Sequence, residues 1–195
     1  MMALRELSSL EKSLGLKNPN KYSTQGYKKV PVLHSNNGPA LVGLVTITTH
    51  LVQEAKRPEL LGGSAEHKAL VQQWLEYRLT KVDGCHKDEI KTILKDLNSY
   101  LEDKVYLAGN QFTLADTLMY YGIHYIIVDL AIQEKEKHMN VTRWFDHVQH
   151  YTGVRHHLPP VVVLRNRVYT SGHHGGLRLD ARMFEGRREE YTGVC

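Results

Sequence analysis

The feature that most constrains the fold of this chain is a helix start placed directly before a long apolar segment. Thr113 can accept a hydrogen bond from the backbone N–H of the third helical residue. Asp116 can accept one from the N–H of Thr113, which completes the reciprocal pattern of a capping box. The charge of Asp116 also suits the positive end of the helix dipole. The sequence therefore predicts a helix after Thr113, with Thr113 and Asp116 as its capping residues.

The helix that follows this cap is predicted to be central and buried. Its apolar residues recur every three or four positions and also fill the other faces, and they are Leu114, Leu118, Met119, Tyr121, Ile123, Tyr125, Ile126, Ile127 and Val128. A helix that is apolar nearly all round belongs in a protein core. Phe112 occupies the position before the cap, where an apolar staple normally forms, but its expected partner is Thr117 and the contact is predicted to be weak.

Shorter elements are predicted on both sides of this helix. A first helix with leucines on one face should end near Gly15, residues 17–29 read as a polar loop, and residues 30–34 and 40–42 predict a β-hairpin. Apolar residues at helical spacing predict three further helices: one at 43–55, one that begins after the N-cap Ser64, and one at 87–101. Asn140 is the predicted N-cap of a late helix, whose apolar residues are Val141, Trp144, Phe145 and Val148.

Composition narrows the class of protein. The 195 residues are 42% hydrophobic, which is enough for a real core. The formal net charge of +4 would suit contact with RNA or an acidic protein, but no RNA-recognition signature accompanies it, so an ordinary basic surface is favoured and direct nucleic-acid contact is not predicted. Two cysteines, Cys85 and Cys195, fit a reducing compartment. With no membrane span or secretory signal in the sequence, we expect a location inside the cell.

Histidines raise the question of a metal site. Those that share a helix face or stand in pairs are His147 and His150, His156 and His157, and His173 and His174. No cysteine or carboxylate joins them at a recognisable ligand spacing. The sequence predicts neither a metal nor a cofactor.

Two stretches resemble the glutathione transferase family. The string Gly-x-x-Phe-Thr-x-Ala-Asp, starting at Gly109, resembles the capping motif of that family's all-helical C-terminal domain. Val-Pro-Val-Leu at residues 30–33, a turn and a helix resemble the second half of its thioredoxin-like domain. The resemblance implies a mainly α fold with a reduced thioredoxin-like N-terminal unit at 1–56, a linker at 57–63 and an all-helical domain at 64–170. Residues 171–195, rich in Gly, His and Arg, are predicted to be a flexible tail.

The resemblance also implies where glutathione would bind, and the matching positions lack the required groups. The family's proline before the strand is typically cis, which makes Pro31 the candidate here. Its Gln-Ser or Glu-Ser pair is replaced by Gly43 and Leu44, which offer no side-chain hydrogen bond. The nearby tyrosines, Tyr22 and Tyr27, fall in the predicted loop and read as surface aromatics. We therefore predict no catalytic residue and no enzyme activity.

Further runs resemble a non-catalytic branch of the family, the auxiliary proteins of the multi-aminoacyl-tRNA synthetase complex; they lie at residues 10–16, 36–39, 71–78, 94–107 and 133–137. This resemblance implies a scaffold that binds transferase-like domains of methionyl-tRNA synthetase and glutamyl-prolyl-tRNA synthetase, together with other scaffold proteins of the complex. It also implies a cytoplasmic location with import into the nucleus and a role in the DNA-damage response. Arg143 is the candidate interface residue, because its planar guanidinium can stack or bind a carboxylate.

Two other functions remain open at this point. A glutathione-dependent transferase would be retained on glutathione resin. An RNA-binding translation adaptor would lose affinity for RNA steeply as salt rises.

Overall fold

The computed structural model describes residues 2–35 and 38–163, so the predicted tail at 171–195 lies outside the described residues. Met1–Val161 form one compact unit. The predicted linker at 57–63 between two domains stays a prediction. Among the described helices, none combines the length and the apolar content that crossing a membrane requires.

The elements follow one another as α1 (Met2–Leu14), β1 (Lys21–Gln25), β2 (Val30–His34), β3 (Leu41–Val42), α2 (Leu44–Glu54), a 3-10 turn (Pro58–Leu61), α3 (Ala65–Tyr77), a π-helical turn (Arg78–Val82), α4 (Lys87–Tyr100), a second 3-10 turn (Leu101–Asp103), α5 (Leu114–Asp129), α6 (Ile132–Lys137) and α7 (Met139–Gln149). The strands form an antiparallel sheet in the order β1-β2-β3.

The N-terminal part packs α1 and α2 together beside this sheet. Leu7 and Leu10 of α1 are buried, and so are Ile47 and Leu51 of α2. Gly15 has a φ of 73°, the left-handed conformation that ends a helix and that glycine adopts without strain. The predicted first helix, the β2–β3 pairing and the helix after Gly43 are therefore confirmed.

Residues 17–29 were predicted to be loop, and this is wrong for Lys21–Gln25, which form β1. The sequence of this strand does not alternate between apolar and polar residues, which is the pattern that predicts a strand. Only Tyr22 and Ser23 of the strand are partly buried. Its backbone pairs with the apolar strand β2 over its whole length, from Lys21 opposite His34 to Gln25 opposite Val30. Pairing with β2, and not the local sequence pattern, therefore places these residues in a strand.

The expectation of a cis bond at Pro31 is also wrong, because no peptide bond among the described residues is cis. Val30 and Pro31 both lie in the ladder, opposite Gln25 and Thr24. The Pro31 carbonyl accepts a hydrogen bond from the N–H of Gly43 at 2.9 Å. A trans link keeps the chain extended through both residues, as the strand requires.

Helix α5 lies at the centre of the helical part and contacts α3, α7 and α1. Thirteen of its 16 residues are buried, which confirms a central helix. The prediction is wrong for two members of the apolar set, since Tyr125 is 39% and Val128 is 47% exposed. Both lie in the last turns of α5 and are three residues apart, so they share one face of the helix, while Ile126 and Ile127 between them are buried. Ser64 caps α3 as predicted, accepting from the N–H of His67 at 3.1 Å.

Helix α7 is capped from another element. Asn140, its predicted N-cap, lies inside the helix, which begins at Met139. The side-chain oxygen of Asn98, in α4, accepts from the N–H groups of Asn140 at 2.9 Å and Val141 at 3.3 Å. The Asn140 side chain in turn donates to the carbonyl of Asn98 at 3.0 Å. A long-range partner thus satisfies the free donors at this helix start.

A buried arginine joins α1 to the helical part. Arg78 donates to both carboxylate oxygens of Glu6 at 2.9 Å, to Asp83 at 2.8 Å and to the carbonyl of Leu118. Gly122 leaves space for it, because a Cβ there would come within 2.7 Å of Arg78 Cζ. Burial raises the pKa of Glu6, and the charge of Arg78 opposes that shift.

Candidate partner-binding surface

The position that binds glutathione in the resembling family carries no polar side chain here. Gly43 is the N-cap of α2 with a φ of 101°, and no side-chain hydrogen bond caps this helix. Leu44 is 4% exposed and belongs to the core. These two residues therefore offer a bound peptide only backbone groups.

The two tyrosines upstream of β2 do not provide an activating hydroxyl either. Tyr22 is not the surface aromatic that was predicted: it is half-buried, and its hydroxyl donates to Glu11 Oε1 at 2.5 Å. Burial and the Glu11 carboxylate raise the pKa of Tyr22. Tyr27 is fully exposed in the β1–β2 turn, as predicted. Neither hydroxyl is free and enclosed in the way that stabilising a thiolate requires.

Asp116 lies at the junction between the loop before α5, α5 itself and α7. Its side chain is fully buried and accepts four hydrogen bonds. The donors are the N–H of Leu107 at 2.9 Å, the N–H and hydroxyl of Thr113 at 3.0 and 3.3 Å, and Nε1 of Trp144 at 2.9 Å. Thr113 and Asp116 stand at the N-cap and N3 positions of a capping box.

Burial raises the pKa of Asp116, and its hydrogen bonds from Leu107, Trp144 and Thr113 oppose that shift. Within the part of the chain that the structure describes, no cation joins the four donors that the carboxylate contacts. The arrangement fixes the orientation of α7 against α5, because the indole N–H of Trp144 must reach the same oxygen as the N–H of Leu107. Asp116 thus holds α7, and the surface that α7 exposes, in place.

An aromatic cluster lies over this junction. Tyr106 and His147 share a hydrogen bond of 2.8 Å, and Tyr106 meets Phe112 edge to face with ring centroids 5.7 Å apart. Phe112 stacks on Tyr151 at 3.9 Å, so its main partner is Tyr151 and not the predicted Thr117. None of these four rings is fully buried. Together with Arg143, one turn before His147, they form what we call the α7 surface: Tyr106, Phe112, Arg143, His147 and Tyr151.

Arg143, the candidate interface residue, is exposed on α7, and its guanidinium is engaged in hydrogen bonds. It donates to the carbonyl of Leu101 at 2.6 Å and to that of Lys104 at 2.9 Å. A cation at these carbonyls complements the negative end of the chain segment that closes α4. Among residues 2–35 and 38–163, only the carbonyls of Leu101 and Lys104 accept hydrogen bonds from Arg143, and its interface role stays a prediction.

The histidines that were weighed as metal ligands have other neighbours. His147 contacts Tyr106, and His150 lies 3.5 Å from Asp146. His157 contacts Ser9, and its pKa is lowered by burial and by the nearby positive charge of Arg5. Within 2–35 and 38–163, no three His, Cys, Asp or Glu side chains come close enough to hold a metal ion. His173 and His174 lie outside the described residues.

The junction was only half visible in the sequence. Thr113 and Asp116 were found because their spacing is local. Trp144 was read as a core residue, and its bond to Asp116 was missed, as was the contact between Tyr106 and His147. An indole placed on a buried helix face is a usable signal, because a buried Trp N–H usually finds an acceptor.

Comparison with known proteins shows that this chain is similar to proteins named for roles in translation and tRNA aminoacylation. A protein-family profile described as nuclear-export cofactor Arc1p matches residues 67–152. Eukaryotic translation elongation factor 1 epsilon-1 of Homo sapiens is 63% identical over 174 residues, which are 89% of this chain and 100% of the human protein. The tRNA-aminoacylation cofactor arc1 of Schizosaccharomyces pombe is 30% identical over 129 residues, which are 66% of this chain and 26% of that protein.

Among solved structures, the glutathione transferase-like domain of elongation factor 1-gamma from Saccharomyces cerevisiae matches with a TM-score of 0.62 at 18% identity. The match covers 79% of this chain and 87% of that one. At this identity the likeness concerns the fold alone. It confirms the predicted mainly α, glutathione transferase-like architecture with a reduced thioredoxin-like N-terminal part.

Proposed function

Because this chain belongs to the family of eukaryotic translation elongation factor 1 epsilon-1, we propose that it is a non-catalytic auxiliary protein that associates with tRNA synthetases. The relative named as a tRNA-aminoacylation cofactor supports the association. The observation that carries the non-catalytic part is the glutathione position, where Gly43 and the buried Leu44 replace the pair that binds the peptide in transferases. The chain keeps a transferase-like fold but lacks the side chains that bind glutathione in transferases.

An assay of glutathione conjugation tests the absence of catalysis. The full chain is incubated with glutathione and a chloronitrobenzene electrophile, beside an active glutathione transferase as positive control. We expect the rate of the uncatalysed reaction, and no retention on glutathione resin. Turnover above that background would make the protein an enzyme and overturn this part of the proposal.

For the association, we propose the α7 surface as a site for a transferase-like synthetase domain. It combines partly exposed aromatic rings with an arginine, the residue types that dominate binding energy at interfaces. Asp116 and Trp144 hold it on a rigid support. We assign this surface to the domain of glutamyl-prolyl-tRNA synthetase, and propose that methionyl-tRNA synthetase and other scaffold proteins of the complex bind elsewhere.

Replacing Arg143 by alanine tests this assignment. We expect Arg143→Ala to weaken binding to the glutamyl-prolyl synthetase domain by about 1 to 3 kcal/mol and to leave binding to the methionyl synthetase domain unchanged. Titration calorimetry with each isolated domain measures both. His150→Ala, an exposed change at the C-cap of the same helix, is the control and should alter neither affinity.

The hydrogen bonds of Arg143 to Leu101 and Lys104 make a structural effect of the substitution a competing explanation. The melting temperature of Arg143→Ala is therefore measured in parallel. A loss of affinity for both domains, together with a lower melting temperature, would show that Arg143 supports the fold and does not bind this partner. Equal affinities for mutant and wild type would remove it from the interface.

We further propose a cytoplasmic location with import into the nucleus and a role there after DNA damage. This rests on the resemblance set out above. Microscopy of the tagged full chain before and after treatment with a DNA-damaging agent tests it. A nuclear fraction that does not change with treatment would contradict the nuclear role without touching the association with synthetases.

A further inference from the structure

The positive charge of this chain is concentrated in its N-terminal part. Residues 1–53 contain six basic residues and two acidic ones, and the difference of four equals the formal net charge of the whole chain. Both acidic residues, Glu6 and Glu11, are buried and hydrogen-bonded. Residues 12–53 contain no acidic residue at all. The exposed charged residues of 12–53 are therefore all basic, and the first exposed carboxylate after them is Glu54, which lines the same cavity as Lys21.

The β1–β2 hairpin carries most of this charge. Lys17 and Lys21 lie before and at the start of β1, and Lys28 and Lys29 lie in the turn after its end, all four exposed. A five-residue strand is about 16 Å long, so the lysines extend along the length of the strand and bracket it at both ends. Tyr27, between the two groups, is fully exposed at the turn.

The outer edge of β1 offers backbone groups for pairing. The Pro31 carbonyl bonds to Gly43, on the β3 side, so the backbone of Pro31 faces away from β1. Thr24, opposite Pro31, is thus in a non-hydrogen-bonded pair, and its own N–H and C=O point to the open side. By the same alternation, so do those of Tyr22. β1 is the outermost strand of the sheet among residues 2–35 and 38–163.

We propose that an acidic, extended segment of another protein binds here by adding a strand to the open edge of β1, with the hairpin lysines pairing its carboxylates. Main-chain hydrogen bonds to Tyr22 and Thr24 would supply affinity, as in other complexes formed by strand addition. The complementary charge would speed encounter and select acidic sequences. The site lies apart in sequence from the α7 surface and does not depend on the function proposed for it.

Lysines on an edge strand also have a protective role, because they discourage pairing between copies of the same edge. Two copies of this hairpin would bring eight lysines together, so self-pairing is opposed while an acidic strand is favoured. Protection alone does not account for Tyr27, Lys28 and Lys29, which lie in the turn and not on the edge. Their position extends the positive surface beyond the strand, where a longer segment would run.

RNA is the competing occupant, since it also seeks positive charge and could stack a base on Tyr27. The two occupants differ in what they need. A strand needs the outward N–H and C=O of Thr24 and does not need an aromatic ring. A nucleotide chain needs the lysines and the ring but not the backbone edge.

The experiment measures fluorescence anisotropy of a labelled peptide of about ten residues, alternating glutamate and threonine, with the full chain at low salt. We expect binding that Lys28→Glu/Lys29→Glu weakens about tenfold or more. The matched control Lys91→Glu/Lys95→Glu makes the same charge change on the exposed face of α4 and should weaken it less than about twofold.

Two further arms test strand addition itself. Thr24→Pro removes an outward N–H that the β1–β2 ladder does not use, and should weaken peptide binding about tenfold with circular dichroism unchanged. The same peptide N-methylated throughout has equal charge but no N–H, and should not bind; this arm decides the matter even if Thr24→Pro fails to fold. Equal binding of the methylated peptide would overturn the proposal. So would preference for an oligouridine of similar length that Tyr27→Ala abolishes.

Discussion

Two buried charged centres of this protein, at Asp116 and at Arg78, are built in opposite ways. Asp116 is an anion surrounded by neutral donors, two of them backbone N–H groups. Arg78 is a cation paired with a carboxylate, Glu6, contributed by a helix far away in sequence. The first joins α5 to α7 within the helical part, and the second joins α1 to that part.

The difference teaches which contacts can be exchanged. In a buried ion pair, both charges have lost their hydration. Replacing both partners by apolar residues removes this desolvation cost, whereas replacing one leaves an unpaired buried charge. A backbone donor cannot be replaced by an apolar group of the same shape, because only proline lacks the N–H and its ring restricts the chain. We therefore expect the Arg78 centre to tolerate a matched double replacement, and the Asp116 centre to have no such rescue.

Asp116→Ala should have the largest effect, because three buried N–H donors, on Leu107, Thr113 and Trp144, lose their acceptor at about 1 to 3 kcal/mol each. We expect the free energy of unfolding to fall by about 3 to 6 kcal/mol in a urea titration. Asp88→Ala, an exposed carboxylate in the first turn of α4, is the control and should change it by less than about 1 kcal/mol. A similar loss of unfolding free energy in the two variants would show that the hydrogen bonds of Asp116 stabilise the protein no more than an exposed carboxylate does.

Arg78→Met should lower the free energy of unfolding by about 3 to 5 kcal/mol, because Glu6 is left buried without its partner. The double variant Glu6→Met/Arg78→Met should recover most of this loss. Asp83 can be hydrated, since its side chain is 42% exposed. If the double variant is as unstable as the single one, the contrast between the two centres is wrong and Arg78 acts mainly through packing.

Gly122→Ala probes the same centre by crowding it. The added methyl would overlap the Arg78 guanidinium, whose position Glu6 and Asp83 hold, so we expect a loss of about 1 to 3 kcal/mol. Combining it with Arg78→Met should reduce the additional loss, because the flexible methionine can move away. Thermal unfolding is measured for Gly122→Ala in the wild-type protein and in Arg78→Met. If the added methyl destabilises both proteins equally, its effect comes from α5 and not from contact with Arg78.

Thr113→Ala should have the smallest effect, about 1 kcal/mol or about 2 to 4 °C in melting temperature. The hydroxyl contact to Asp116 is lost, but the Thr113 N–H still reaches the carboxylate. Thr113→Ser keeps the hydroxyl and serves as control. A melting curve unchanged by alanine would mean that the Thr113 side chain does not stabilise the start of α5.

Much of the fold followed from local patterns. Gly15 ends α1 and Ser64 begins α3 where the sequence indicated, and the apolar run after Thr113 is the central helix. The α7 surface was found through one residue, Arg143, because its place beside the apolar face follows from helix geometry. The rings of Tyr106 and Tyr151 were not found, since their partners lie in other elements.

By itself the sequence determined where α1 ends and where α3 and α5 begin, because caps and apolar spacing act over three or four residues. Only the tertiary structure decided the contacts that reach further: Asn98 caps α7 from 42 residues away, Trp144 bonds to Asp116 across 28, and Arg78 meets Glu6 across 72. Strand β1 belongs with these, since its polar residues become a strand only beside β2. A hydrogen bond between distant groups leaves no periodic trace in a sequence, because its geometry exists only once the core has brought the elements together.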